Sequence, residues 1–257
     1  MPVTPELQKY IASALTVGCE INLGELIEAL KVEGMLLDQL NTVKQFVSDW
    51  SFEIAPPLTQ GDFSTPRIMR TQRRAQHSLD TVLQEIRQGE SVCREFKSSL
   101  LYDYKRAVAV PDTPLPQLKS SAVLFSTLKT IAAFLNSDGG VLFVGVSDSA
   151  ETLGLANDCL LLGREEPDLD KWHLEVRSQI TGKFKDGALI NDYVDVSFVE
   201  SGGKHIARIQ ILPKKKLSFM KAEEGNGFRL FRRQGNRTME VLIEEVEDFL
   251  VYRRDRS

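Results

Sequence analysis

Six residues, Val141-Leu-Phe-Val-Gly-Val146, do most to restrict what this chain can become. They are apolar at odd and even positions alike. A strand made of them is covered on both faces, as inner strands of helix-flanked sheets are. Before them, Asp138-Gly139-Gly140 supplies a tight turn, and earlier still Leu124, Leu128, Ile131 and Leu135 recur at helical spacing. The spacing predicts a long helix from Gln117 that closes at Ser137, then a turn, then a buried strand with Asp148 at its tip. Gly-Gly permits positive φ and close backbone approach, so Asn136, Asp138, Gly139 and Gly140 are assigned to backbone geometry. No GxxxxGK[ST] run accompanies them, so a Walker-type nucleotide site has no support.

The partner stretch is Gly89-Glu-Ser-Val-Cys-Arg-Glu-Phe-Lys97. A helix is expected from about Arg73 to Gln88, with Leu79, Val82, Leu83 and Ile86 on one side and Gly89 as its stop. Arg94 to Leu101 then reads as the first strand of the main sheet, with Phe96 inward, so strand, helix, strand is the central unit. Glu90 and Glu95 flank the start of that strand, and Asp148 sits where such sheets place their chemistry. Three carboxylates brought together make a hard oxygen site for Mg²⁺ or Mn²⁺, which could activate water on a phosphodiester. Lys97 follows Glu95 by two residues and shares its strand face. It is a candidate to hold a scissile phosphate, or else to pair with Glu95 or Asp148. On the residues alone the plainer reading has Glu90 capping a turn, Glu95 paired with a neighbouring cation and Asp148 in a loop turn. Asp158, a fourth acid, is assigned to a structural turn.

Taken together, Glu-Ser-x-x-x-Glu-Phe-Lys and Ala-Phe-Leu-Asn-Ser-Asp-Gly-Gly-Val-Leu-Phe-Val-Gly-Val-Ser-Asp resemble the Schlafen/AlbA_2 domain family, over roughly Leu79 to Tyr252. The resemblance implies an α+β fold, a mixed sheet with flanking helices, and nucleic-acid binding. Some Schlafens are metal-dependent endoribonucleases with a Glu-Glu-Asp active site, and Glu90, Glu95 and Asp148 stand at the matching positions. It therefore implies cleavage of structured RNA such as tRNA, favoured over DNA, with Mg²⁺ or Mn²⁺ as cofactor. The alternative is a non-catalytic DNA- or RNA-binding regulator, with the acids dispersed or neutralised by Lys97 and arginines. Animal Schlafens resemble two lobes closing into a trough. One lobe fits here, so a homodimer is expected to rebuild it. Those proteins also carry a structural zinc, whereas Cys19, Cys93 and Cys159 are odd in number and lack CxxC spacing, as reduced thiols in a cytoplasm would.

Charge is distributed unevenly. The formal net charge is -4, yet residues 1–65 hold nine acids against Lys9, Lys31 and Lys44. From Lys204 to Arg237 ten cations face only Glu223 and Glu224. Lys214, Lys215, Lys216, Arg229, Arg232, Arg233 and Arg237 are the candidate nucleic-acid contacts, the electrostatic form a phosphate-binding face takes. Further basic clusters lie at Arg67/Arg70/Arg73/Arg74 and Arg253/Arg254/Arg256. Phe228 and Phe231 interleave with the arginines. Three apart on a strand they face opposite ways, so at most one can stack a base, and core packing is expected for both.

The expected organisation is an acidic helical region over 1–55, a linker over 56–72 and an AlbA_2-like domain over 73–257. The N-terminal helices carry no motif, and binding a protein partner, dimerisation and capping of the main domain are the roles open to them. No apolar run approaches the ~20 residues of a membrane helix, and the N-terminus lacks a secretory pattern. His77, His173 and His205 form no ligand spacing.

Overall fold

The computed structural model describes residues 4–16, 18–59, 62–71, 78–164 and 167–254. It divides between Gln76 and His77 into two units. The expected helix start at Arg73, with Arg74, His77 and Arg256, lies outside the described residues.

The first unit contains α1 (Pro5–Thr16), β1 (Cys19–Ile21), α2 (Leu23–Leu30), α3 (Leu36–Asp49), β2 (Phe52–Ala55) and β3 (Arg67–Thr71). Asn22 caps α2 in a reciprocal box with Glu25, whose carboxylate accepts from the Asn22 N–H. Leu23, Leu26 and Leu30 turn their buried face towards Leu40, Val43 and Phe46 of α3. The region is thus not helical alone. The strands form an antiparallel sheet in the order β1-β3-β2, and its middle strand comes from the stretch read as a linker. The Gly, Pro and Ser residues around that stretch hide a five-residue strand whose first side chain, Arg67, is buried against Asp62 at 3.0 Å.

In the second unit α4 (Leu79–Arg87) leads into β4 (Arg94–Lys97), followed by α5 (Tyr104–Ala109), α6 (Ser121–Leu135) and β5 (Gly140–Val144). Next come α7 (Ala156–Leu161), α8 (Leu169–Lys183), α9 (Gly187–Ile190), β6 (Val194–Ser201) and β7 (Lys204–Ile211). The chain ends with β8 (Phe219–Lys221), β9 (Phe228–Gln234), β10 (Arg237–Glu240) and α10 (Val246–Arg254). The main sheet runs β4-β5-β7-β6. Its β4 and β5 are parallel and joined through α6, and the remaining pairs are antiparallel. A mixed sheet with flanking helices is what the sequence predicts, with the two-face apolar strand β5 inside it.

Register decides what each face covers. Phe96 pairs with Phe143, and both pack with Val82 and Ile86 of α4 and with Ile206. Leu142, Ile209 and Val196 lie across the opposite face, where Trp172 of α8 meets Phe198 edge-on. Burying one such aliphatic or aromatic side chain stabilises by about 1.5–3 kcal/mol. Gly139 turns at φ +76°, and a Cβ on Gly140 would stand 2.5 Å from the Phe134 ring and 2.8 Å from the Cys93 carbonyl. Only glycine lets α6 close this tightly on the strand that follows it. β4 is shorter than its expected span to Leu101, and α5 follows it. Among the described residues no helix is long and apolar enough to cross a membrane.

A second antiparallel sheet, in the order β10-β9-β8, joins this unit. Alternation along β9 sends Phe231 and Arg233 to the α6 side, where Phe231 meets Phe125 edge-on. Leu230 packs on the other side with Val241 and with Phe249 of α10. Asn136, at the C-terminal cap of α6, is fully buried and stitches helix to sheet. Its amide donates to the carbonyls of Ser218 at 2.8 Å and Phe231 at 2.9 Å, and its oxygen accepts from the Ser218 N–H.

Candidate functional site

Glu95 sits on β4 at the edge of the main sheet, on the face opposite Phe96. Its two oxygens have different partners. Oε1 is 2.7 Å from Lys97 Nζ and Oε2 is 2.9 Å from an Arg233 guanidinium nitrogen. The spacing of two on a strand makes the first pair, and the inward face of β9 makes the second. Arg233 has a side chain only 1% exposed, and every arm of it is used. It donates to the carbonyls of Val92 and Ser91, to Thr238 Oγ1 and to Glu95, and it lies 4.9 Å over the Phe134 ring. A planar fork with five donors suits this set of fixed acceptors, and an ammonium does not.

Glu90 lies beside the same strand, and Asp148 lies in a turn. Glu90 follows the Gly89 helix stop, and its Oε1 accepts from the Phe96 N–H at 2.9 Å. Asp148 is exposed on the turn closed by the Ala150 N–H to the Ser147 carbonyl. Among the described residues no group of three or more His, Cys, Asp or Glu side chains is arranged to hold a metal ion. Glu90 thus holds the start of β4 through a backbone N–H, Glu95 pairs with two cations, and Asp148 stands exposed in a turn.

The expected basic contacts also separate. Lys214 is only 1% exposed. Its Nζ lies 5.9 Å from the Tyr193 ring centroid and within 3.4 Å of the Lys216 carbonyl. It and Arg233 are therefore internal, which corrects their assignment as surface contacts. Arg232 is half-buried, 5.7 Å from the Phe249 ring. Arg229 is exposed and paired with Glu240 at 3.2 Å. Lys215, Lys216 and Arg237 are exposed. A signal was available for Arg233: it stands two residues after Phe231, so a buried Phe231 carries Arg233 inward with it.

Asp158 is the acid whose role sequence reasoning underrated. It is 1% exposed on α7 and accepts four N–H groups, from Leu100 at 2.7 Å, Leu101 at 2.9 Å, Tyr102 at 3.1 Å and Trp172 Nε1 at 3.2 Å. Burial raises its pKa, and the four donors oppose that rise without cancelling it. Its partners fix the backbone that leaves β4 and lock it to α8.

The Schlafen AlbA_2 family model matches residues 90–241, well over half of the chain. The chain belongs to this family. Among solved structures, the DIP2311 protein from Corynebacterium diphtheriae aligns over 71% of this chain and 29% of its own, at 17% identity and a TM-score of 0.42. The N-terminal domain of a putative ATP-dependent DNA helicase RecG-related protein from Nitrosomonas europaea aligns over 65% of this chain and 95% of its own, at 20% identity and a TM-score of 0.35. The chain thus spans under a third of the length of the DIP2311 protein. No functionally curated protein matches it.

A hard cation takes several oxygen ligands around one point. Here Glu95 has both oxygens in ion pairs, and Glu90 and Asp148 join no such group. As arranged, they form no such cluster among the described residues.

Proposed function

We propose that this AlbA_2 chain is a nucleic-acid-binding module that holds phosphate backbone on its second sheet and does not cut it. The observation that carries the reading is the pairing of Glu95 with Lys97 and Arg233, which neutralises the central acid of the expected catalytic set from both sides. The remaining cations of the same segments, Lys215, Lys216, Lys221, Arg229 and Arg237, are exposed to solvent. Family membership supports nucleic acid as the partner. These cations stand on strands and on the loop before β8, which favours recognition through backbone and shape.

The test is incubation of the purified protein with total tRNA, a single-stranded oligonucleotide and duplex DNA, in Mg²⁺, Mn²⁺ or EDTA. Binding is read by mobility shift and cleavage by gel. Salt-dependent binding without cleavage under every metal is the expected result. Cleavage that disappears in Glu90→Ala, Glu95→Ala or Asp148→Ala would instead establish the three-carboxylate nuclease on structured RNA. Sedimentation of the same preparation addresses the two-copy trough, because a monomer that binds normally removes it.

A further inference from the structure

Phe228 is an aromatic of β9 that the core leaves exposed. Phe231 is 3% exposed, whereas Phe228, three positions earlier on the opposite face of β9, is 45% exposed. Its register partner on β8 is Lys221, so the two side chains stand side by side on one face of the sheet. β8 is the outer strand, and a further segment lies along it. Phe184 forms an antiparallel bridge to Met220, and the Lys185 N–H donates to the Phe219 carbonyl at 3.0 Å. That bridge brings Lys183 and Lys185, distant in sequence, to β8, which carries Lys221 and is preceded by Lys215 and Lys216. All five lysines are exposed. The acids nearest in sequence are Glu223 and Glu224 in the β8–β9 turn, and Asp186, which lies 4.0 Å from the buried Lys214.

We propose that this edge is a platform for single-stranded nucleic acid, on which Phe228 stacks one base and the lysines follow the backbone. The proposal rests on the nucleic-acid reading above and narrows it to one strand form and one place. An open aromatic face bordered by cations matches a chain that carries a π-face and a phosphate at every residue. In a duplex each base is already stacked on its neighbours, so a ring at this position gains nothing from it. Lysine-only contact to phosphates is indifferent to the sugar, so DNA and RNA strands are both accepted.

Fluorescence anisotropy with labelled oligo(dT) and oligo(U) of about 15 nucleotides, the upper end of the span one such site covers, and with a labelled duplex of the same length, tests this directly. The expected result is tighter binding of both single strands than of the duplex. Phe228→Ala should lose about tenfold in single-strand affinity with an unchanged salt slope, and Phe228→Tyr should restore it. Replacing Lys183, Lys185 and Lys221 together by Gln should flatten the slope of log K against log salt by about 2, at ~0.7 for each phosphate no longer neutralised. Duplex binding that equals or exceeds single-strand binding, with Phe228→Ala silent, overturns the platform while the nucleic-acid reading stands. Failure of the unmodified protein to bind any of the three probes overturns both. Phe228 is exposed, so its variants keep the fold, which circular dichroism checks.

Discussion

Glu95 and Asp158 are carboxylates of the same unit, both drawn inward and both tied to the segment around β4, but they are satisfied by opposite means. Glu95 is held by two cations at a sheet edge, with its side chain 13% exposed. Asp158 is enclosed and held by four neutral N–H donors. Cations lower the cost of an ionised acid through charge, whereas neutral donors do so through dipoles alone, and burial wins at Asp158. The acid that stands within the sequence motif is thus the one compensated by charge. The acid outside it organises the backbone. A carboxylate's place in a motif does not fix its chemistry, because its partners do.

The comparison breaks most readily at Asp158. Asp158→Ala leaves the N–H groups of Leu100, Leu101, Tyr102 and Trp172 without their acceptor, at roughly 1–3 kcal/mol for each one that stays dry. Urea unfolding should show a loss of about 4 kcal/mol, and a loss below about 1 kcal/mol would mean that water replaces the carboxylate. Next is Arg233→Lys, which keeps a charge beside Glu95 but cannot serve the carbonyls of Ser91 and Val92. A loss of about 2–3 kcal/mol is expected in the same assay. If lysine is tolerated, the fork geometry is not what matters there.

The pH response sharpens the contrast. The folded-state pKa of Asp158 lies above its ordinary value of 3.8, so the folded protein binds this proton more tightly than the unfolded chain. Its contribution is full below that value and is lost as pH rises through the folded pKa. The stability advantage of the unmodified protein over Asp158→Asn should therefore shrink as pH is raised from about 4 towards neutrality. A widening gap contradicts the raised pKa. The smallest effect belongs to Lys97→Gln, which removes the more accessible of the two cations on Glu95. About 0.5–1 kcal/mol is expected, decreasing in high salt.

What could be read in advance follows from how local each cause is. The helix α6, the turn at Gly139-Gly140 and β5 were legible because spacing, turn chemistry and a two-face apolar run all point the same way along one stretch of chain. The strand β3 was not, since its pairing partners on β1 and β2 lie far away and its flanks resemble a linker. Charge was the least legible property. Arg229, Arg232, Arg233 and Arg237 look equivalent in the sequence, yet one pairs with Glu240, one lies against Phe249, one is enclosed over the Phe134 ring and one faces water. Strand alternation around Phe231 separates the enclosed one. The lysines at 183 and 185 gave no such signal, because only the bridge between Phe184 and Met220 carries them to the second sheet.

One guanidinium on β9 grips the main-chain oxygens of Ser91 and Val92, so the β9–β10 hairpin is tied to the doorway of the main sheet. A strand of nucleic acid that quiets the hairpin would be felt across that grip. Slower hydrogen exchange at the amides of residues 91–95 would then report, at a distance, on a ligand that never touches them.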